Sequence, residues 1–345
     1  MPKASITTTP ELEAYLTQNA KIPFSRVVSL SGGTANFTWR LYSPSGESSI
    51  IKHAESYVKD ITTMPFSTDR MDFEKKAMDA LPMLIPQDDL LRIPKIHFYD
   101  PNNHVLQLTD GGPRTLKEAY TDHLLNIPVL GRRIGIWLAR LHASTRSVDL
   151  KASFDNQTAK SIYRYAYASS PAVFSVYGHD AAVGSRINET YGSQLRTDSV
   201  CICHGDFWPG NLIVQSAVSY GWSNFNTTVV DWEMVRDGCG ATDVAQFAAE
   251  AWLLDRFRGG RGLFGAFLKG YAEGARENGE VIGDGFLERV AAHFGTHVAF
   301  WPTVVEWGTK EETKELVSFG YDLLVKVLEM DLPFMKNIFS GLETS

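Results

Sequence analysis

The chain has 345 residues, a formal net charge of -7, and 44% hydrophobic against 21% charged residues. This composition is that of an ordinary globular protein long enough for two lobes, and its acidic balance does not suit a nucleic-acid binder, which needs a basic stripe to neutralise phosphates. Three cysteines, Cys201, Cys203 and Cys239, are too few for a disulfide framework; with no apolar signal core and no uncharged run of membrane-spanning length, the expected location is cytoplasmic, with no membrane partner.

Thr9, Pro10 and Glu11 open a helix that carries Leu12, Tyr15 and Leu16 at helical spacing, which predicts a packing element. Val27 to Leu41 reads as two β-prone runs joined around Gly32 and Gly33, with Asn36 in the connection. Glycines there let backbone amides approach phosphate oxygens, although most such pairs between strands are plain turns. Ser49 to His53 is a strand containing Lys52, and a lone strand lysine commonly points to solvent from an edge. The next helix changes that reading. From Thr68 onward, Met71, Met78 and Leu81 share a face with Glu74. A carboxylate on an apolar stripe needs a cationic partner, because burying it alone is expensive, and Lys52 is the natural candidate. A strand lysine paired with a helix glutamate is how kinases hold the α- and β-phosphates of a nucleotide.

Val105 to Gly112 is an apolar strand that ends in glycines. Leu130, Ile134, Trp137, Leu138 and Leu141 mark an amphipathic helix ending at His142. From Lys151 to Thr197 the periodicity weakens, and Tyr163, Tyr165, Tyr167, Phe174 and Tyr177 serve either as core or as pocket lining. Between the apolar segments Val200–Cys203 and Leu212–Val214 lies His204-Gly205-Asp206-Phe207-Trp208-Pro209-Gly210-Asn211. Asp206 and Asn211 fit D-x-x-x-x-N, the spacing by which one loop both orients an acceptor hydroxyl with a carboxylate and holds a metal ion with an amide oxygen. Cys201 and Cys203 beside His204 lack a second ligand group at metal-site spacing and read as buried strand thiols. Ser219 to Asn226 reads as an enlarged hairpin loop, and Thr228 to Val230 as a buried strand delivering Asp231 as second metal ligand, ahead of Trp232 and Glu233. Thr242-Asp243 starts a further helix, and the remainder is helical, with Leu287 to Trp301 sharing a face and a Thr309/Glu312 capping box.

His204-Gly205-Asp206 followed by Asp231-Trp232-Glu233 resembles the aminoglycoside phosphotransferase and choline kinase family. The resemblance implies an α+β, bilobal protein-kinase-like fold. Residues 1–110 would form a small β-rich N-lobe with a mixed sheet and one helix, and residues 111–345 a larger, mainly helical C-lobe. It implies ATP and Mg²⁺ as cofactors and a small-molecule hydroxyl acceptor. Gly32, Gly33, Asn36, Lys52 and Glu74 would bind the nucleotide, with Gln107, Thr109 and Gly111 at the hinge, where backbone groups read adenine. Asp206 would be catalytic, Asn211 and Asp231 the metal ligands, and Glu233 a further contributor through a water. His142 would pack beneath the catalytic loop, and Asp243 would be an N-cap or a brace for that loop's backbone. Trp208, Glu233, Trp301 and Glu306 would border the acceptor, an acidic and aromatic lining that favours a cationic or ring-bearing compound. Likeness extends to kinases of the methylthioribose type, whose usual residue at the metal-binding position differs from Asn211, which argues against methylthioribose as acceptor. Two readings follow, an active small-molecule kinase or a kinase-fold protein that binds nucleotide without catalysis; retention of Lys52, Asp206 and Asp231 favours the first.

Overall fold

Strand periodicity builds the N-lobe. The computed structural model describes residues 5–85, 91–146, 149–216 and 225–342. Helix α1 (Thr9–Tyr15) precedes β1 (Arg26–Ser29), β2 (Phe37–Tyr42) and β3 (Ser48–His53), the small hairpin β4 (Tyr57–Val58) and β5 (Ile61–Pro65), helix α2 (Arg70–Leu84), β6 (Leu91–Arg92), and the hairpin β7 (Ile96–Asp100) and β8 (Val105–Thr109). The main sheet has the order β1-β2-β3-β8-β7. Every neighbouring pair in it is antiparallel, so the expected mixed sheet is corrected. The short reversals after β2 and β7 leave no room for the long crossover that parallel neighbours require.

Side chains alternate across this sheet. Trp39, Leu41, Ile51 and Val105 pack with Leu12, Tyr15 and Leu16 on one face, whereas Leu106 and Leu108 join Met71, Met78 and Leu81 of α2 on the other. Lys52, out of step with Ile51 by one residue, therefore faces α2. Thr8, one residue before the expected start, caps α1 and forms a capping box with Glu11.

The C-lobe comprises β9 (Arg114–Thr115), α3 (Leu116–Ala119), α4 (Ile127–Thr145), α5 (Gln157–Tyr163), α6 (Tyr165–Val176), α7 (Ala181–Ile187), β10 (Cys201–Cys203), β11 (Leu212–Ser216), β12 (Phe225–Val229), β13 (Arg236–Gly238), α8 (Ala241–Phe257), α9 (Leu263–Glu277), α10 (Asp284–Phe300), α11 (Lys310–Leu328) and α12 (Leu332–Ile338). Glycines bring α4 and α9 into backbone contact: a Cβ on Gly135 would lie 2.2 Å from the Phe267 carbonyl oxygen, and one on Gly270 2.0 Å from that of Arg132. Helix α4 continues three residues past His142, to Thr145, whose hydroxyl accepts from the Ile202 amide at 3.0 Å and so ties the helix to β10. Tyr167 and Phe174 of the aromatic segment are core residues, while Tyr165 is exposed. β11 and β12 pair from Leu212↔Val229 to Ser216↔Phe225; residues 219–224 of the expected enlarged loop lie outside the described residues. Among the described residues no helix is long and apolar enough to cross a membrane.

Candidate active site

The segment from His204 to Asn211 runs between two separate ladders. β10 pairs with β13, whereas β11 pairs with β12 and β9, so both ends of the loop are fixed. Phe207 anchors its middle, fully buried, stacked on Trp137 and packed against Phe247. Gly205 has φ +87°, and a Cβ there would lie 1.9 Å from the Met234 carbonyl oxygen; no other residue fits this turn. Asp243, in the first turn of α8, accepts from the amides of His204 at 2.7 Å and Gly205 at 3.0 Å. Its role is therefore the loop brace, with Gly240 at the N-cap. His142 lies beneath, hydrogen-bonded to Asp243 at 3.2 Å and to the Tyr271 hydroxyl at 3.0 Å. Burial pushes the His204 imidazole down to about 4, and the neutral ring donates through Nε2 to the Val230 carbonyl and accepts at Nδ1 from the Asp206 amide.

Asp206 and Asn211 meet directly. Asn211 Nδ2 donates to Asp206 Oδ2 and to the Asp206 carbonyl, both at 2.9 Å. Gln246 Nε2 of α8 donates to Asp206 Oδ1 at 2.6 Å. Burial and the nearby Asp231 charge push the Asp206 carboxyl up to about 6, against hydrogen bonds from Gln246, Asn211 and Trp208 that favour its ionised form.

Lys52 Nζ of β3 lies 2.8 and 2.7 Å from the two oxygens of Glu74 and 2.5 Å from Asp231 Oδ1. Glu74 is 0% exposed and also accepts from the Trp232 amide at 3.2 Å. Burial opposes the lysine's charge, but Asp231 and Glu74 hold its pKa above the ordinary value. Asp231 occupies the left-handed region at φ 67°, a conformation that costs a non-glycine residue energy and recurs at functional sites. Its side chain is 34% exposed. The donor set fits a hard cation: both Asn211 amide hydrogens go to Asp206, which leaves Oδ1, and Lys52 takes one Asp231 oxygen, which leaves the other.

The other expected nucleotide residues divide. Asn36 donates to Glu233 Oε2 at 2.6 Å and accepts from Arg70 Nε at 3.0 Å, and Arg70 lies 3.3 Å from Glu233. This buried trio joins the glycine connection, α2 and the Asp231 loop. Glu233, expected near the acceptor, is thus held against the glycine connection and α2. Burial and the Asp231 charge push the Glu233 carboxyl up to about 8. Gly32 has φ +112° with open space at its Cβ position, and the Gly33 carbonyl accepts from Lys59 at 2.6 Å. Gln107 pairs with Ile51, on the sheet face opposite Lys52, and donates to Ser49 at 3.0 Å. Thr109 bonds His97 at 3.1 Å at the strand end. A Cβ on Gly111 would lie 2.9 Å from Thr228 Cβ, so the hinge backbone rests on the β11–β12 hairpin.

Of the residues expected to border the acceptor, Trp208 folds its ring over Gly210, where a Cβ would lie 2.2 Å from it. Trp301 is 37% exposed and packs against His297 of α10. Glu306 is exposed on the same connection. Residues that sequence reasoning passed over lie in the same neighbourhood: Gln246 on α8 bonds Asp206, and Lys117 on α3 meets Glu250 of α8 and Trp307. Spacing offered a signal for two of them, since Gln246 and Glu250 are polar at i and i+4 within the otherwise apolar middle of α8, from Val244 to Leu254. Cys201 and Cys203 are buried within ligand distance of His142, but both His142 nitrogens already have partners. The thiols remain structural.

The chain is 26% identical over 341 residues to a 4-hydroxytryptamine kinase of Psilocybe cyanescens and 24% identical over 334 residues to that of Psilocybe cubensis, with 90% of each chain covered in both cases. Among solved structures it is similar to an amicoumacin kinase in complex with AMP-PNP, Ca²⁺ and Ami, with a TM-score of 0.57 and 14% identity over 92% of this chain and 96% of the other. It is also similar to a putative fructosamine-3-kinase of Thermobifida fusca, with a TM-score of 0.53 and 15% identity over 94% and 100%. These structural likenesses show the bilobal kinase-like fold. Residues 30–281, spanning the glycine connection, Lys52, the 204–211 loop and Asp231, match the phosphotransferase enzyme family model (APH), and the chain belongs to that family.

Proposed function

We propose that this protein transfers the γ-phosphoryl group of ATP to a hydroxyl of a small-molecule metabolite or amine-bearing compound in the cytoplasm. Residues 1–110 act as the nucleotide lobe and 111–345 as the catalytic and acceptor lobe. The observation that carries the reading is the direct Asp206–Asn211 contact, close enough to the Lys52–Glu74–Asp231 cluster for the Asp231 charge to act on the Asp206 carboxyl.

In the proposed reaction the acceptor oxygen bonds to the γ-phosphorus as the bond to the β,γ-bridging oxygen breaks, and ADP leaves with that electron pair. Asp206 accepts the hydroxyl's hydrogen bond and then its proton. Asn211 and Gln246 keep that carboxylate oriented. Lys52, held by Glu74, binds the α- and β-phosphates, and the glycine connection covers the phosphate chain with its amides. Asn211 and Asp231 would hold Mg²⁺, which neutralises charge on the phosphate oxygens when bound. The acceptor lies against Trp208, α8 and the α10 end that carries Trp301. Both 4-hydroxytryptamine kinase relatives act, by name, on an amine that bears a hydroxyl, which supports that class. Incubation with ATP, Mg²⁺ and a panel of indole-ethylamines, aminoglycosides, choline, methylthioribose and sugars, with phosphorylated product read by mass spectrometry, tests the reading. Product from a hydroxylated amine is expected; no product and no ADP from the panel contradicts it.

A further inference from the structure

Lys117 of α3 holds its ammonium against two tryptophan rings and a buried carboxylate. Lys117 Nζ lies 4.4 Å from the centroid of Trp307 and 4.9 Å from that of Trp208, so its ammonium has an indole ring on each of two sides. Glu250 Oε2 is 3.6 Å away. That carboxylate is only 7% exposed, and its Oε2 has no hydrogen-bond partner; the other oxygen is bonded to His297 Nε2 at 3.0 Å. Burial opposes the charge of Glu250, but His297 and Lys117 hold its carboxyl below the ordinary range. Two electron-rich ring faces and a buried carboxylate form a cation site, since each attracts an ammonium and the low-polarity surroundings strengthen both attractions.

The box adjoins the reacting carboxylate. Glu250 is one helical turn beyond Gln246, which bonds Asp206, and Trp208 is two residues beyond Asp206 in the catalytic loop. Lys117 can leave without unfolding anything: it projects from the short α3 and its side chain is 32% exposed. The contact with Glu250 is at ion-pair range without a hydrogen bond.

We infer that the box formed by Trp208, Trp307 and Glu250 is the subsite for a cationic amine on the acceptor, and that Lys117 is a resident cation that the amine displaces. This inference rests on the reading of Asp206 as the centre of phosphoryl transfer. Lys117 then sets specificity: a neutral acceptor leaves it in place, whereas an ammonium gains the box only by outcompeting it.

Binding without ATP separates this inference from the proposed reaction. Calorimetric titration of the full chain uses tryptamine, its neutral isostere 3-propylindole, and anionic indole-3-propionate. Tryptamine is expected to bind tightest. Lys117→Met is expected to tighten tryptamine about tenfold while leaving 3-propylindole unchanged, the scale of a partly desolvated cation–π and ion-pair competitor. Glu250→Gln is expected to weaken tryptamine about tenfold relative to 3-propylindole; unchanged ATP affinity shows that this variant is folded. Equal binding of tryptamine and 3-propylindole, no saturable tryptamine binding, or no gain in Lys117→Met overturns the inference. So does a preference for indole-3-propionate that Lys117→Met abolishes, because Lys117 would then recognise an anion. If tryptamine behaves as expected but hydroxylated amines yield no phosphorylated product, the cation box stands and the proposed reaction fails.

Discussion

Removing Glu74 is a perturbation whose size follows from the structure. Its carboxylate is inaccessible and satisfies Lys52 twice and the Trp232 amide once, so Glu74→Ala strips a buried ammonium of one of its two anions. Loss of one partner from a buried pair costs about 3–5 kcal/mol. The lower end applies, because Asp231 still holds Lys52 at 2.5 Å. With about 2.1 cal/mol/K of unfolding entropy per residue, 345 residues give about 0.7 kcal/mol/K, so 3 kcal/mol lowers the melting temperature by about 4 °C. Function suffers separately. Lys52 is drawn wholly to Asp231, away from phosphate and onto the carboxylate needed for metal, so the KM for Mg²⁺-ATP rises. Lys52→Ala weakens nucleotide use more, since it loses the phosphate contact as well as the ion pair. The double variant Lys52→Met with Glu74→Leu leaves no buried charge at the pair and melts above Glu74→Ala while remaining inactive. Differential scanning calorimetry alongside steady-state kinetics checks these outcomes. Parental melting temperature and KM in Glu74→Ala, or ordinary ATP use in Lys52→Ala, would refute the reasoning.

Asp231→Asn keeps the side chain's shape but removes charge from the metal site, so the Mg²⁺ concentration for half-maximal turnover rises by about tenfold or more; an unchanged Mg²⁺ titration contradicts the assignment. The raised carboxyls set two pH dependences. Asp206 must be ionised to accept a proton, so kcat/KM falls with falling pH through about 6, read in a pH–rate profile. A carboxyl with a raised folded-state pKa stabilises the fold at low pH and loses that contribution as pH rises through the folded value. Asp206 and Glu233 therefore destabilise the ligand-free protein progressively as pH rises through about 6 and about 8. Mg²⁺ with a non-hydrolysable ATP analogue offsets this charge, so its thermal shift is larger at pH 8 than at pH 6; equal shifts contradict the argument.

Residues with chemistry of one kind were the legible ones. Lys52 and Glu74 meet as the stripe of Met71, Met78 and Leu81 predicts, because a carboxylate on a buried face leaves few solutions. Asp206 and Asn211 meet because their spacing within one loop is a local property. The antiparallel order of the first sheet was not legible, since the same strands pair either way until turn lengths decide. Nor was the position of Glu233, whose Asn36 and Arg70 partners are 197 and 163 residues away in sequence. The surroundings of Lys117 were not legible either: Glu306, expected at the acceptor, is exposed while its neighbour Trp307 is buried against that lysine, and Glu250, within an alanine-rich helix, is the carboxylate 3.6 Å from it. Long-range contacts such as those of Glu233 carry no periodic signal, whereas the i, i+4 spacing of Gln246 and Glu250 marks a polar face of α8 without naming what it meets.

Asp206→Asn tests the central claim most directly, because the amide preserves shape and removes the oxygen that accepts the proton. Measured on one preparation with an accepted substrate, turnover is predicted to fall by about 10²- to 10⁴-fold, the range of a lost general base, while ATP affinity and melting temperature stay near parental values. Unchanged turnover would contradict the account, and so would a joint loss of turnover, ATP binding and thermal stability, which would make Asp206 a prop for the loop instead of the group that receives the acceptor's proton.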